Sequence, residues 1–322
     1  HNLFGFDLPY ISERARRHGV RLRLGRGGRL LQSRPSRFTA GERTSSYTRF
    51  SAYGRHIVDT LHLVQLYDVS TRDLESYSLK SVAVHFGVAA ADRTYLDVEG
   101  IGEAFAQDPE RVKAYSMDDV RETDAISRIL SPSYFYQAQI VPFSYQNCTT
   151  RGNAARIDAL LVAEYMVRNG ALPKAGSARS FSGGLTESFA SGLFADVWHI
   201  DVRSLYPSIL ISRQLAPASD HLGVFLEMLE ELRRFRLLAK DRMKEADTER
   251  DRNHYTALQS SFKVLINSFY GYLGFGQGTF NDFEQAEKVT AEGRRILGSM
   301  VDFLREAGTR VIEIDTDGIY FV

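Results

Sequence analysis

Two helical runs, residues 222–246 and 253–271, constrain this chain's fold more than any other feature. Both repeat apolar side chains at helical spacing, and only the charged stretch ADTERDRN separates them. They predict an antiparallel helical hairpin. Strand-like segments lie on either side of it. ADVWHID (195–201) comes before, and VIEIDTDGIYFV (311–322) comes after, with an Asp-Gly turn between two apolar runs as in a β-hairpin. A helical hairpin set between two strand-bearing parts implies a mixed α and β architecture. A length of 322 residues favours two or three domains over one.

The remaining elements fit around that frame. Residues 1–20 read as the end of a strand followed by a helix from Pro9 to His18. LRLGRGGRLL reads as a hairpin about a glycine turn, inside an Arg-, Gly- and Ser-rich stretch over 20–54. RHIVDTLHLVQLY (55–67) begins as a strand and continues as a helix; 78–88 and 108–130 predict helices, the second with Asp108 before Pro109 as a cap pair. The triplet Asp97-Val98-Glu99 reads as a loop ahead of a helix. Residues 131–195 are mixed, with one helix at 154–169. SLYPSILIS (204–212) starts a helix with Pro207 in its first turn, GFGQGTF (274–280) is a loop, and 284–308 is a helix.

Composition excludes several classes. A hydrophobic share of 43% and a charged share of 25% are those of an ordinary globular protein. No apolar stretch approaches the ~20 residues of a membrane-spanning helix. HNLFGFDLPY lacks the basic and apolar regions of a signal peptide, and a start without Met reads as a fragment. The single cysteine, Cys148, excludes an intramolecular disulfide and a cysteine-based zinc cluster, and fits a reducing compartment. Net charge is zero, yet about a dozen arginines and hardly any acids fall between Arg14 and Arg55. That run reads either as a solvated, mobile loop or as a phosphate-contacting arm.

Asp315 and Asp317 flank the hairpin turn, and a tight turn alone would account for them. A calcium loop is set aside because the rest of its pattern is missing. Asp201 alters the weighing, because it ends an apolar strand where the chain turns into a helix. If the strands are neighbours, three carboxylates meet at one end of a sheet. Such a cluster resists ionisation unless a divalent cation neutralises it, and hard oxygen ligands with open positions suit Mg²⁺. Arg236, Lys240 and Lys244 share one face of the first hairpin helix, and Lys263, Asn267 and Tyr270 share one face of the second. Each stripe alone reads as a solvated face. Together, beside three carboxylates, they offer the cations that a triphosphate needs. Phe262, Leu265 and Phe269 on the second helix read as packing residues.

In this order the segments resemble the family B DNA polymerases. DVRSLYPSI (201–209) resembles that family's first palm motif and KVLINSFYG (263–271) its fingers motif. DTDG (315–318) resembles the second palm motif, with Gly318 where the family usually has Ser. HNLFGFDLPY resembles the second exonuclease motif, with Asp7 as its acid and Asn2 in support. AYSMDD resembles the third, with Tyr115 and Asp119, and FSGGLTES resembles the Gly183-Gly184 segment that links exonuclease to palm and contacts template DNA. The resemblance spans nearly the whole chain, most loosely at 20–54 and 131–180.

The resemblance implies an α+β multidomain fold. An RNase H-like 3′–5′ exonuclease core precedes a polymerase palm sheet with a two-helix fingers insertion. The implied division is a partial exonuclease domain at 1–135, a linker and palm start at 136–190, palm at 191–221, fingers at 222–273 and palm again at 274–322. The family's first exonuclease motif, Asp-x-Glu, should precede residue 1, and its thumb should follow residue 322. The resemblance further implies two Mg²⁺ ions, or Mn²⁺ in their place, on Asp201 and Asp317, with Asp315 secondary. Asp7 and Asp119 would hold metal in the exonuclease. Backbone around Ser204 and Leu205, with Arg236, Lys240, Lys263 and Asn267, would meet the nucleotide. Tyr206 would exclude a 2′-hydroxyl, and Tyr270 and Gly271 would lie under the templating pair.

The implied enzyme is a DNA-directed DNA polymerase acting in replication or repair, on primer–template DNA and dNTPs. A processivity clamp is a further candidate partner. No membrane is involved, and the implied location is intracellular, cytoplasmic or nucleoid-associated in a prokaryote. Two other readings stand beside it. A 3′–5′ exonuclease alone leaves Asp201, Lys263 and Asp317 unexplained. A catalytically inactive DNA-binding fragment of a polymerase is opposed by the same three residues being intact.

Overall fold

No strand forms at the N-terminus. In a computed structural model describing residues 1–41, 43–96 and 100–322, Leu3–Asp7 make a π-helical turn that runs into helix α1, Leu8–Arg17. Asn2 adopts a left-handed conformation (φ 64°), and Pro9 lies in the first turn of α1. The backbone N–H groups of Asn2 and Phe4 donate to the Asp59 carboxylate at 3.0 and 2.8 Å. A side chain therefore supplies the acceptors that a neighbouring strand would have supplied.

Much of the arginine-rich stretch is a β-hairpin, where a loop was the expectation. Strand β1, Gln32–Ala40, pairs antiparallel with β2, Arg43–Ser51. The expected glycine turn at 22–31 does close, with Gly25 N–H on Arg29 O and Leu31 N–H on Leu22 O, but it carries a 3₁₀ turn and no strands. Phe38 and Phe50 turn inward and are buried. The Phe38 ring stacks on His62 at 3.9 Å, and burial lowers the His62 pKa from its ordinary value. Arg49 is buried as well, donating to Thr150 Oγ1 at 2.9 Å and Asn147 Oδ1 at 2.7 Å.

The expected strand at 55–59 is likewise absent. Asp59 is the N-cap of α2, Thr60–Thr71, and accepts from Leu61 N–H. Then come α3, Leu79–His85; α4, Ile101–Gln107; α5, Pro109–Ile140; and the short α6, Tyr145–Cys148. Asp108 caps α5 as expected, but the helix continues ten residues beyond residue 130, with Pro132 inside it. Val64, Val82, Ala83 and Ile126 form one buried cluster of this first unit, His1–Gly152. The Asp97–Glu99 triplet lies outside the described residues.

The second unit, Asn153–Val322, begins with α7, Asn153–Val167. It continues through β3, Thr186–Ser188; β4, Trp198–Asp201; and α8, Leu205–Ser212. The helical hairpin forms as α9, Val224–Glu245, and α10, Glu249–Leu273. Only residues 246–248 separate the two, and Thr248 caps α10 by accepting from Asp251 N–H. Helix α11, Phe283–Glu306, is capped by Asp282 and leads to β5, Val311–Asp315, and β6, Gly318–Phe321. The four strands form one sheet in the order β3-β5-β6-β4.

The inward faces of the hairpin are apolar. Phe225, Leu229, Leu265 and Phe269 are buried, and the rings of Phe225 and Phe269 meet edge to face at 5.0 Å. Both roots of the hairpin are tied to α7. Tyr165 donates to Asp220 Oδ1 at 2.6 Å, and Asp220 accepts from the N–H groups of Val224 and Phe225 at the start of α9. At the end of α10, Tyr272 donates to Asp158 Oδ1 at 2.8 Å, which also accepts from Thr279 N–H.

Candidate active site

The sheet gathers the three carboxylates at one end. Residue 318 is the register partner of Asp201 on β4 and of Asp315 on β5. The two-residue turn is held by Thr316 in a left-handed conformation (φ 57°), with Thr316 N–H on Leu185 O and Val202 N–H on Asp317 O. Asp201 and Asp315 are exposed, and Asp317 is half-buried. Burial raises the Asp317 pKa above its ordinary value, and the charges of Asp201 and Asp315 raise it further. Those shifts come from desolvation and like charge, and a bound divalent cation would offset both. All three donors are hard carboxylate oxygens with open sides, which fits Mg²⁺ in kind. They do not form a closed cage, and no group of three His, Cys, Asp or Glu side chains does so among the described residues.

Tyr206 stands next to them. Ser204 precedes α8 in a left-handed conformation (φ 55°), and Leu205 is buried. The Tyr206 ring stacks on Tyr270 with centroids 4.4 Å apart and planes 27° from parallel. Burial, Tyr270 and the charge of Asp317 push the Tyr206 phenol up to about 12. A β-carbon on Gly184 would lie 2.6 Å from the Tyr206 hydroxyl, so the backbone there is pressed against the ring. Gly183 and Gly271 face open space.

The cations lie on the helical hairpin. Lys263 and Asn267 are exposed on α10, and Arg236 and Lys240 are half-buried on α9. None of Arg236, Lys240 and Lys263 forms an ion pair among the described residues, whereas Lys244 sits near Asp241 at 3.5 Å. The Arg236 Nε is buried without a hydrogen-bond partner there. Burial, and then the charge of Arg203, lower its pKa from the ordinary value. Two guanidinium groups near each other without an acid invite an anion.

The exonuclease candidates of the first unit are arranged differently. Tyr115 and Asp119 lie one turn apart on α5, but Asp119 Oδ1 accepts from Arg93 at 2.6 Å. Arg93 is itself buried, donates to both oxygens of Glu122, and lies over the rings of Tyr95 and Tyr115. Asp7 has no side-chain cap bond at the start of α1, and Asn2 offers its backbone to Asp59. No contact joins Asp7 to Asp119 among the described residues. One arginine is shared between two carboxylates there, and burial, the largest influence, raises the Asp119 pKa above its ordinary value although Arg93 pulls it down.

Several residues of these sites escaped the sequence reading. His199 lies two positions before Asp201, on the same face of β4, which period-two alternation could have flagged. Arg203 lies between two residues that were named. Asp59, just ahead of an apolar helix, has an ordinary N-cap pattern. Gly293 is an isolated glycine inside α11, a signal of close packing. Arg93 and Glu122 carried no local signal, since their partnership spans 29 positions.

Comparison with known proteins identifies relatives of this chain. The sequence model described as DNA polymerase family B matches residues 213–317, and that of the DNA polymerase family B exonuclease domain matches residues 1–82. The chain is 28% identical to a DNA polymerase of Pyrococcus glycovorans over 98% of its own length and 43% of that protein. It is 26% identical to a DNA polymerase of Thermococcus gorgonarius over the same shares. The chain thus spans less than half the length of these relatives. Among solved structures, the family B DNA polymerase of the hyperthermophilic archaeon Pyrobaculum calidifontis superposes with a TM-score of 0.80 at 25% identity. That match covers all of this chain and 44% of the other.

Proposed function

The chain belongs to the family B DNA polymerases, and from that premise we propose that it carries the nucleotidyl-transfer site of template-directed DNA synthesis. The supporting observation is the meeting of Asp201, Asp315 and Asp317 around Gly318, beside Tyr206. In the proposed reaction a primer 3′-oxygen attacks the α-phosphorus of a dNTP. The bond from that phosphorus to the bridging oxygen of the β-phosphate breaks, and pyrophosphate leaves with the electron pair. Asp201 and Asp317 would hold two Mg²⁺ ions, with Asp315 secondary; when bound, the ions supply activation of the hydroxyl and charge neutralisation at the phosphates. Mn²⁺ would fit the same oxygen donors.

The chain's own residues do the rest. Lys263 presents a point charge unpaired among the described residues and Arg236 a partly desolvated fork, and both favour phosphate oxygens over water. Lys240 and Asn267 extend the same surface. The backbone at Ser204 and Leu205 opens α8 toward the carboxylates and would meet the triphosphate. Tyr206, a neutral phenol throughout the physiological range, would present a ring edge to the sugar and exclude a 2′-oxygen sterically. Tyr270 and Gly271 would lie beneath the templating base, and Gly183 and Gly184 along the template strand. In this reading 222–273 are the fingers, 191–221 and 274–322 the palm, 136–190 a linker and palm start, and 1–135 a 3′–5′ exonuclease domain. Primer–template DNA and dNTPs are the proposed partners, with a processivity clamp as a further one.

Primer extension tests the proposal. Asp201→Ala should abolish Mg²⁺-dependent extension by the intact protein; extension at the wild-type rate would overturn the site. For the first unit, the match of residues 1–82 to the exonuclease family supports a proofreading role.

A further inference from the structure

Tyr206 is seated by α11 as well as by Tyr270. A β-carbon on Gly293 would lie 3.1 Å from Tyr206 Cε1, 3.6 Å from Leu205 Cδ2 and 3.8 Å from Ile209 Cδ1. Carbon atoms in good contact stand about 3.5–4.0 Å apart, so a methyl group there would force the ring to shift by about 0.5 Å. The same face of α11 holds the segment on the other side of the ring. Thr290 Oγ1 donates to Ser182 O at 2.8 Å, and Arg294 donates to the carbonyls of Ser182 and Gly183. Gly184, next in the chain, is pressed against the Tyr206 hydroxyl. The ring is thus bounded by α11 at one edge, by Gly184 at its hydroxyl and by Tyr270 on its face.

We propose that the Thr290, Gly293 and Arg294 face of α11 positions Tyr206 and thereby sets discrimination between deoxyribonucleoside and ribonucleoside triphosphates, with Gly293 the determining residue. The inference rests on the polymerase reading above. A gate that works by atomic contact loses selectivity when its ring moves in either direction. Toward the sugar, it hinders the deoxynucleotide too; away from it, it admits the 2′-hydroxyl. Both shifts bring the two kcat/KM values together.

Gly298 on the same helix provides the control, because a β-carbon there meets nothing within 4 Å. The intact protein, its Gly293→Ala and Gly298→Ala variants and a Thr290→Val variant are compared in single-nucleotide extension with dNTP and rNTP. Gly293→Ala should lower the ratio of the two kcat/KM values at least fivefold, and Thr290→Val should lower it less. Gly298→Ala should leave it unchanged. Thermal melting in parallel separates a loss of fold, which would reduce both rates together, from a loss of gating, which changes their ratio. Extension by all variants with an unchanged ratio in Gly293→Ala overturns this inference alone. Failure of the wild-type protein to extend a primer overturns the polymerase reading and this inference with it.

Discussion

The imidazole of His199 fills the space that any side chain at Gly318 would need. His199 is the cross-strand partner of Tyr320, and the two rings stack at 4.3 Å and 17° from parallel, so moving the imidazole aside would give up that stack. The glycine that ends DTDG is therefore matched to a histidine on the neighbouring strand.

Gly318→Ser should destabilise the protein by about 1–3 kcal/mol, the usual cost of overpacking. His199→Ala in the same chain should recover most of that loss. A urea-unfolding double-mutant cycle measures the coupling. Simple additivity of the two changes would show that the imidazole and residue 318 do not compete for space.

Asp317 predicts an opposition between stability and metal binding. Its pKa is raised in the folded protein, by burial and then by Asp201 and Asp315. The folded form thus holds that proton more tightly than the unfolded chain does. The stability it contributes is present below the unfolded value of 3.8 and is lost as pH rises through the folded value. At neutral pH the ionised carboxylate is a liability, so Asp317→Asn should raise the melting temperature without metal. Mg²⁺ should raise the melting temperature of the wild type and leave that of Asp317→Asn nearly unmoved. A metal-free variant that melts below wild type would count against the carboxylate cluster.

Lys263 has no acidic partner among the described residues. Lys263→Ala should therefore raise the KM for dNTP about tenfold or more, since a charge-assisted hydrogen bond is worth about 1.5–3 kcal/mol. The Kd for primer–template should stay the same. Steady-state kinetics and fluorescence anisotropy read the two effects separately, and a loss confined to DNA binding would reassign this helix face to the template.

Arg93 and Glu122 should behave as a unit. Their side chains are 1% and 3% exposed, whereas Asp119 is 33% exposed. Glu122→Ala takes its bidentate acid from a buried guanidinium, leaving it Asp119 and the Thr94 carbonyl, and should cost about 3 kcal/mol. Asp119→Ala should cost much less, because solvent already shares its carboxylate. Denaturant midpoints rank the two; equal losses would make Asp119 as strong a partner as Glu122, and a larger loss for Asp119→Ala would make it the principal one.

What could be read in advance was local. The α9–α10 hairpin was legible because its apolar repeat is regular and a charged break marks the turn. The Asp201 strand end and the Asp315–Asp317 turn were each legible from signals within a few residues, but their meeting, across 114 positions, followed only if their strands were neighbours. The β1–β2 hairpin was not legible, since only Phe38, Tyr47 and Phe50 interrupt long runs of Arg, Ser and Thr. Its buried Arg49 is satisfied by residues about a hundred positions away. The supposed N-terminal strand failed for the same reason, its partner being the Asp59 side chain. His199 and Gly293 each left a local trace, one in strand alternation and one as a glycine inside a helix, but their roles were not legible. One matters for the volume it fills and the other for the volume it leaves, and neither is a property of a motif.

The anchoring of both hairpin roots to α7, through Asp220 and Asp158, makes α9 and α10 a lever with a fixed fulcrum. Lys263 is nine residues from Tyr272, about 14 Å along the helix axis, and Glu249 is about 35 Å along. Each 10° of rocking would carry Lys263 about 2 Å and the tip about 6 Å, while Tyr270, close to the pivot, hardly moves. A triphosphate drawn to Lys263 would thus pull on the long arm, and the stack of Tyr270 on Tyr206 would stay in place as the arm swings.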